Sequence, residues 1–173
     1  MTLRDLLDAF AANDPVPGGG SAAALAGAVG TSLLVMVAGL PTTRTGTSEE
    51  AADLAEASAR LRTPRDALAA LVQQDSDAYA AVVDAMRLPR ATTAEKADRR
   101  RAIETAMLGA TETPLETMRC CQQALRGAIV VASNGNRNAA TDTAMGVELL
   151  LAGLRGAGLN VDVNINSVSD ASF

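Results

Sequence analysis

The 173-residue sequence predicts an all-α, single-domain helical bundle with a short extended C-terminal segment. Three observations carry that expectation. First, 48% of the residues are hydrophobic but only 2% are aromatic, so alanine, leucine and valine must fill the interior, which suits closely spaced helices. Second, hydroxyl residues recur with an acid three positions later, at Thr2/Asp5, Thr47/Glu50, Thr63/Asp66, Thr92/Glu95 and Thr113/Glu116. The hydroxyl oxygen of such a pair satisfies a free backbone N–H at a helix start, and the acid favours the positive helix end. Third, apolar residues recur at intervals of three and four. Residues 1–173 fit one domain, and neither an internal repeat nor a linker divides them.

The elements follow in order. Leu3, Leu6, Leu7 and Phe10 form the stripe of a first helix, expected to face the core. Residues 21–40 carry no charge and match the roughly 20 residues that cross a bilayer. They are mostly small and aliphatic, lack an aromatic belt and flanking basic clusters, and no second span accompanies them. A helix enclosed within a bundle is therefore expected. Its small residues, Ala22, Ala23, Ala24, Ala26, Gly27 and Gly30, suit close helix contact.

Further stripes run through Leu68, Leu71, Val72, Tyr79, Val82, Val83 and Met86, then through Leu115, Met118, Leu125, Ile129 and Val130, and finally through Met145, Leu149, Leu150 and Leu154. Each is expected to be core. Pro64 and Pro114 follow Thr63 and Thr113 directly, where a first helical turn tolerates the missing N–H; otherwise they kink longer continuous helices. Connections are expected at 15–20, 41–46, 88–91 and 134–138. After Gly158, Val161, Val163 and Ile165 alternate with Asp162, Asn164 and Asn166, the period of an extended strand.

Composition excludes several function classes. A net charge of −5 and a pI near 4.7 argue against nucleic-acid binding, which needs a concentrated basic surface. Arg99, Arg100 and Arg101 sit beside Glu95, Asp98 and Glu104 and read as a solvated helix face. The absence of histidine removes Ser-His-Asp and Cys-His catalysis, the HExxH zinc motif and any imidazole base. Cys120 and Cys121 are adjacent, without metal-ligand spacing, and are expected to be buried reduced thiols. Neither a signal-peptide pattern nor an oxidising compartment is indicated, so a cytoplasmic location is expected. An alanine-rich core gains little per residue, because burial is worth roughly 25 cal/mol per Å² of apolar area. More apolar surface is therefore expected to be covered between subunits of an oligomer.

Three segments carry candidate chemistry. Pro15-Val16-Pro17-Gly18-Gly19-Gly20-Ser21 leads straight into the uncharged helix. Its glycines let backbone approach a ligand at a helix start that favours anions, although no GK[ST] follows to make a nucleotide loop. The plainer reading is a turn with Ser21 as helix cap. Asp75-Ser76-Asp77-Ala78-Tyr79 puts Asp75 and Tyr79 on one inward face and turns Asp77 toward solvent. In Ser133-Asn134-Gly135-Asn136-Arg137-Asn138, Asn134-Gly135 reads as a helix C-terminal turn and Asn138 as the next N-cap. Asn138 and Asp142 are four apart and can face one pocket, where amides read a heterocycle edge and a carboxylate accepts a proton.

In this order and spacing the segments resemble the folate cyclodeaminase/cyclohydrolase family. The resemblance also covers Phe10, Leu88-Pro89, Pro114-Leu115, Thr141-Asp142, and Asn160-Val161 through Asn164-Ile165-Asn166. The sequence departs from the family pattern at Thr141, where serine is usual, and in residues 41–47, where Arg44 is the sole basic residue. The resemblance implies an all-helical homodimer acting on a tetrahydrofolate derivative, with no metal, redox cofactor or membrane. It implies either hydrolysis of 5,10-methenyltetrahydrofolate or cyclodeamination of 5-formiminotetrahydrofolate. A non-catalytic folate-binding or structural dimer and a different small-molecule enzyme on the same bundle are the alternatives. The roles it implies are Asp142 as acid/base, Asp75 as second carboxylate, Asn136 and Asn138 as heterocycle-positioning amides, Gly18, Gly19, Gly20 and Ser21 as donors, and Arg44 on the folate tail.

Overall fold

The computed structural model describes residues 2–165. It contains α1 (Leu3–Ala11), α2 (Gly19–Ala38), α3 (Ser48–Arg87), α4 (Thr93–Asn134), a 3-10 turn (Arg137–Ala139) and α5 (Ala140–Ile165). The long helices α3 and α4 pair as a hairpin, and α2 lies against α3, α4 and α5. All described secondary structure is helical, as the composition requires.

Three expected helix starts stand. Thr2 and Thr92 form reciprocal capping boxes with Asp5 and Glu95, and Thr47 accepts from the Glu50 N–H. Two do not, because Pro64 lies inside α3 and Pro114 inside α4, so Thr63 and Thr113 begin nothing. Both prolines are buried, so packing holds each helix continuous through a position its backbone disfavours. Around Pro114, the hydroxyls of Thr111, Thr113 and Thr117 donate to carbonyls four residues back, which lets buried Thr111 and Thr117 satisfy themselves inside the bundle.

The close contact expected of α2 is present at backbone level. A Cβ at Gly30 would lie 2.6 Å from the Gly146 carbonyl oxygen, and one at Gly153 would lie 2.8 Å from that of Ala23. The two helices therefore run antiparallel with almost no side-chain spacer, and Cys121 Sγ fills the notch beside Gly27 and Gly153. Leu34, Leu54, Leu61, Leu68 and Leu150 complete the interior, each fully buried and worth about 1.5–3 kcal/mol. No buried side-chain polar atom among the described residues lacks a partner.

Several expectations change. The alternation at 161–165 is not a strand: α5 continues through Ile165, and intrahelical bonding outweighs a three-residue apolar alternation that has no neighbouring strand to pair with. Asn166 lies outside the described residues. The stripe of α1 is not core, since Leu3 and Leu7 are 71% and 56% exposed and no residue of α1 is buried. Tyr79, Met86, Ile129 and Met145 are likewise exposed at the edges of their stripes. The segment from Arg137 to Ile165 also meets the length and hydropathy of a membrane span, so residues 21–40 are not alone in that respect. Arg101 pairs with Asp98 on an exposed face as expected, while Arg99 donates to the Met86 carbonyl at the end of α3.

Gly30→Ala should force α2 and α5 apart and destabilise the fold by about 1–3 kcal/mol, a loss readable by urea denaturation, despite alanine's better helix propensity. Cys120 and Cys121 are free and buried, and burial pushes their thiols up to about 11 and about 12. A chromogenic disulfide reagent at pH 8 should leave both unmodified in the native protein and titrate both after denaturation.

Candidate functional site

The glycine-led start of α2 lies against the middle of α3. Leu68, Leu71 and Val82 are buried along α3, and Asp75 shares their inward stripe, so α3 must deliver a carboxylate to the α2 interface. It is half-buried there. Ser21, fully buried, donates from Oγ to Asp75 Oδ2 at 2.8 Å, and the Ser76 hydroxyl lies 3.3 Å from the same Ser21 oxygen. Ser21 is thus not a helix cap. Gly18 holds the N-cap position without any side-chain cap, and Ser21 turns inward to meet Asp75. A Cβ on Gly20 would sit 2.1 Å from Asp75 Oδ1, so glycine at this position is what lets the carboxylate approach the helix end.

These residues open onto a cleft of about 360 Å³. One wall is Pro15, Val16 and Gly18 to Gly20; α3 contributes Asp75 and Tyr79, α4 contributes Met107 and Ala110, and α5 contributes Asn160 and Asn164. The peptide between Val16 and Pro17 is cis. The helix start favours negative charge, and Asp75 supplies a negative group from the protein itself. Tyr79 borders the cleft although 43% of it is exposed, and Asp77 is on the solvent side with Gln73 as partner.

The second cluster lies at the other end of α2. Gly135, just past α4, packs beside Val37, and α2 separates Gly19 from Val37 by eighteen residues, about 27 Å along the axis. Here the Asn136 side chain accepts from the Asn138 N–H, so Asn136 and not Asn138 is the cap of the turn that follows. A cavity of about 170 Å³ is bordered by Arg44, Asn136 and Arg137 but not by Asn138 or Asp142. Asp142 occupies the first turn of α5, half-buried, where the positive helix end favours it. Arg44 donates to the Ala132 and Ser133 carbonyls at the end of α4. Its loop is held by Glu50, whose carboxyl accepts from Thr43 and Thr45 and is thereby lowered to about 2.

Within one chain, then, Gly18 to Ser21 and Asp75 meet, and Asn136, Asn138, Asp142 and Arg44 gather elsewhere. A larger cavity of about 600 Å³ lies between α3 and α4, lined by Asp53, Glu56, Arg60 and Arg126, and holds none of the predicted site residues. Asn160 and Asn164 border the cleft without being among the sequence-predicted site residues. Their signal is the spacing of four, one face of a helix, masked by the strand-like alternation of apolar residues around them.

Residues 2–173 match the formiminotransferase-cyclodeaminase family. A methenyltetrahydrofolate cyclohydrolase of Methylorubrum extorquens is 38% identical over 99% of this chain and 83% of its own length. The formimidoyltransferase-cyclodeaminases of Gallus gallus and Mus musculus are 29% and 30% identical over 91% and 99% of this chain. Those two proteins are much longer, and the match spans 29% and 32% of them. A crystal structure of formiminotetrahydrofolate cyclodeaminase from Thermotoga maritima superposes with a TM-score of 0.85 at 24% identity, over 99% of this chain and 82% of that one, which establishes the shared fold.

Ser21→Ala should remove the donor that holds Asp75 and leave a small buried void. The expected cost is about 0.5–1.5 kcal/mol, read as a lower denaturant midpoint with unchanged slope.

Proposed function

The chain belongs to the formiminotransferase-cyclodeaminase family, and from that premise we propose that it is an enzyme acting on the one-carbon bridge of tetrahydrofolate. The observation that carries the proposal is Asp75, a carboxylate held by buried Ser21 at the mouth of a cleft and so able to face a cationic substrate. Methenyltetrahydrofolate carries such a cation, with positive charge shared over the N5–C–N10 bridge, and a fixed carboxylate stabilises it electrostatically. Hydrolysis to 10-formyltetrahydrofolate is the preferred reaction, supported by the near-full-length similarity to a cyclohydrolase. Water adds to the bridging carbon and gives up a proton to a carboxylate base. The C–N5 bond then breaks as N5 takes a proton, leaving the formyl group on N10. In cyclodeamination, N10 attacks the formimino carbon on N5 and ammonia departs, giving the same cation.

Asp142 is assigned as the acid/base group, with Asn136 and Asn138 positioning the heterocycle and Arg44 near the folate tail. A homodimer reconciles these residues with Asp75. Ala22, Val29, Ser32 and Met36 form an exposed, uncharged stripe along α2, with Val29 and Met36 45% and 42% exposed. Two copies related by a two-fold axis near Val29 would pair these stripes antiparallel, and such self-complementary contacts are the commonest in homo-oligomers. The Asp75 end of one subunit would then meet the Asp142 end of its partner. Folate is the only ligand this chemistry needs, and a cytoplasmic location accompanies it.

The enzyme should accelerate the loss of the near-ultraviolet absorbance of methenyltetrahydrofolate; an unchanged decay, with formiminotetrahydrofolate also unconverted, would count against the assignment. Asp75→Asn and Asp142→Asn should each abolish turnover while remaining folded dimers. Mixed and re-paired, the two variants should recover about a quarter of wild-type activity, because about half the dimers are mixed and each mixed dimer rebuilds one site. Zero recovery would rule out a site that draws Asp75 from one subunit and Asp142 from its partner.

A further inference from the structure

Asn160 and Asn164 stand one helical turn apart on α5, and both line the cleft that Asp75 enters. Each donates an amide hydrogen to a backbone carbonyl: Asn160 Nδ2 to Gly156 at 2.9 Å, and Asn164 Nδ2 to Ala110 at 2.8 Å. These bonds decide which way round the amides lie, because the reverse orientation would set oxygen against oxygen. The Ala110 carbonyl is available for a specific reason. Its normal helical donor would be the N–H of residue 114, and Pro114 has none. The buried proline in α4 therefore creates the acceptor that orients an asparagine on α5.

Each amide is left with its Oδ1 unpaired among the described residues. Asp75 enters the same cleft, and its assignment to the cationic bridge leaves the two amide oxygens as the acceptors that face the ring edge. A wall with two fixed oxygen acceptors selects a ligand edge rich in N–H groups. A reduced pterin presents such an edge through its 2-amino group, N3–H and N8–H.

We propose that Asn160 and Asn164 are specificity residues that accept hydrogen bonds from the N–H edge of the substrate's reduced pterin, with Asn164 oriented by the Ala110 carbonyl that Pro114 leaves free. The proposal rests on the folate assignment above and deepens it by naming the wall that reads the ring.

Calorimetric binding of 5-formyltetrahydrofolate and its 2-desamino analogue to wild type, Asn160→Ala, Asn164→Ala and Pro114→Ala tests it, with circular dichroism confirming the fold. Wild type should prefer the 2-amino ligand by about tenfold. Each asparagine variant should lose most of that preference, a ratio that a merely structural role would leave unmoved. Pro114→Ala restores an N–H that competes for the Ala110 carbonyl, and it should weaken 5-formyltetrahydrofolate binding several-fold in a folded protein. A preference retained in both asparagine variants, or absent from wild type, overturns the proposal while leaving the folate assignment intact. Unchanged affinity in Pro114→Ala overturns the orienting role of the Ala110 carbonyl. A wild type that binds neither ligand overturns the folate assignment and this inference together. Should Asn164→Ala not fold, Asn160→Ala and Pro114→Ala decide it.

Discussion

The backbone-level contact between α2 and α5 is the constraint on which the rest of the molecule depends. Glycine at positions 30, 146 and 153 lets the helices approach until a single added carbon would strike a carbonyl oxygen. That proximity fixes register. Gly30 faces Gly146, Ala23 faces Gly153 and Gly156, and Gly19 ends beside Asn160. A helix packed this closely cannot carry a long or charged side chain on that face, which accounts for the small residues where α2 meets α5. The same register carries the α5 asparagines to the glycine-led helix start, so a packing constraint locates the cleft.

Two prolines show how tertiary contacts override local preference. Thr63-Pro64 and Thr113-Pro114 carry sequence marks of helix starts, yet both lie deep inside continuous helices. The carbonyl that Pro114 orphans is recovered by Asn164, some fifty residues away in sequence. No local pattern contains that information. The C-terminal segment departs from its strand-like pattern for a related reason: three alternating apolar residues satisfy the strand period, while Asn160 and Asn164 satisfy the helical one, and helical hydrogen bonding prevails through Ile165.

The candidate site divides in the same way. The inward stripe of α3 and the three glycines made Asp75 and the start of α2 legible as separate features, and the structure joins them through Ser21. Asn136, Asn138, Arg44 and Asp142 were legible as a polar cluster, but their distance from Asp75 was not, because it depends on the length of α2 and on which of its ends each connection reaches. The spacing of Asn138 and Asp142 suggested a shared pocket, yet a 3-10 turn precedes α5 and breaks the helical phase between them.

The sequence by itself determined the helical class, the caps at Thr2, Thr47 and Thr92, the buried thiols, the small-residue character of α2, and the absence of any imidazole from the chemistry. These follow from composition and from interactions between residues a few positions apart. Only the tertiary structure decided that Pro64 and Pro114 sit within helices, that α1 turns apolar residues outward, and that Asp75 shares a cleft with Asn160 and Asn164. Those outcomes depend on contacts between distant segments, and their energies are set by how closely two backbones can approach.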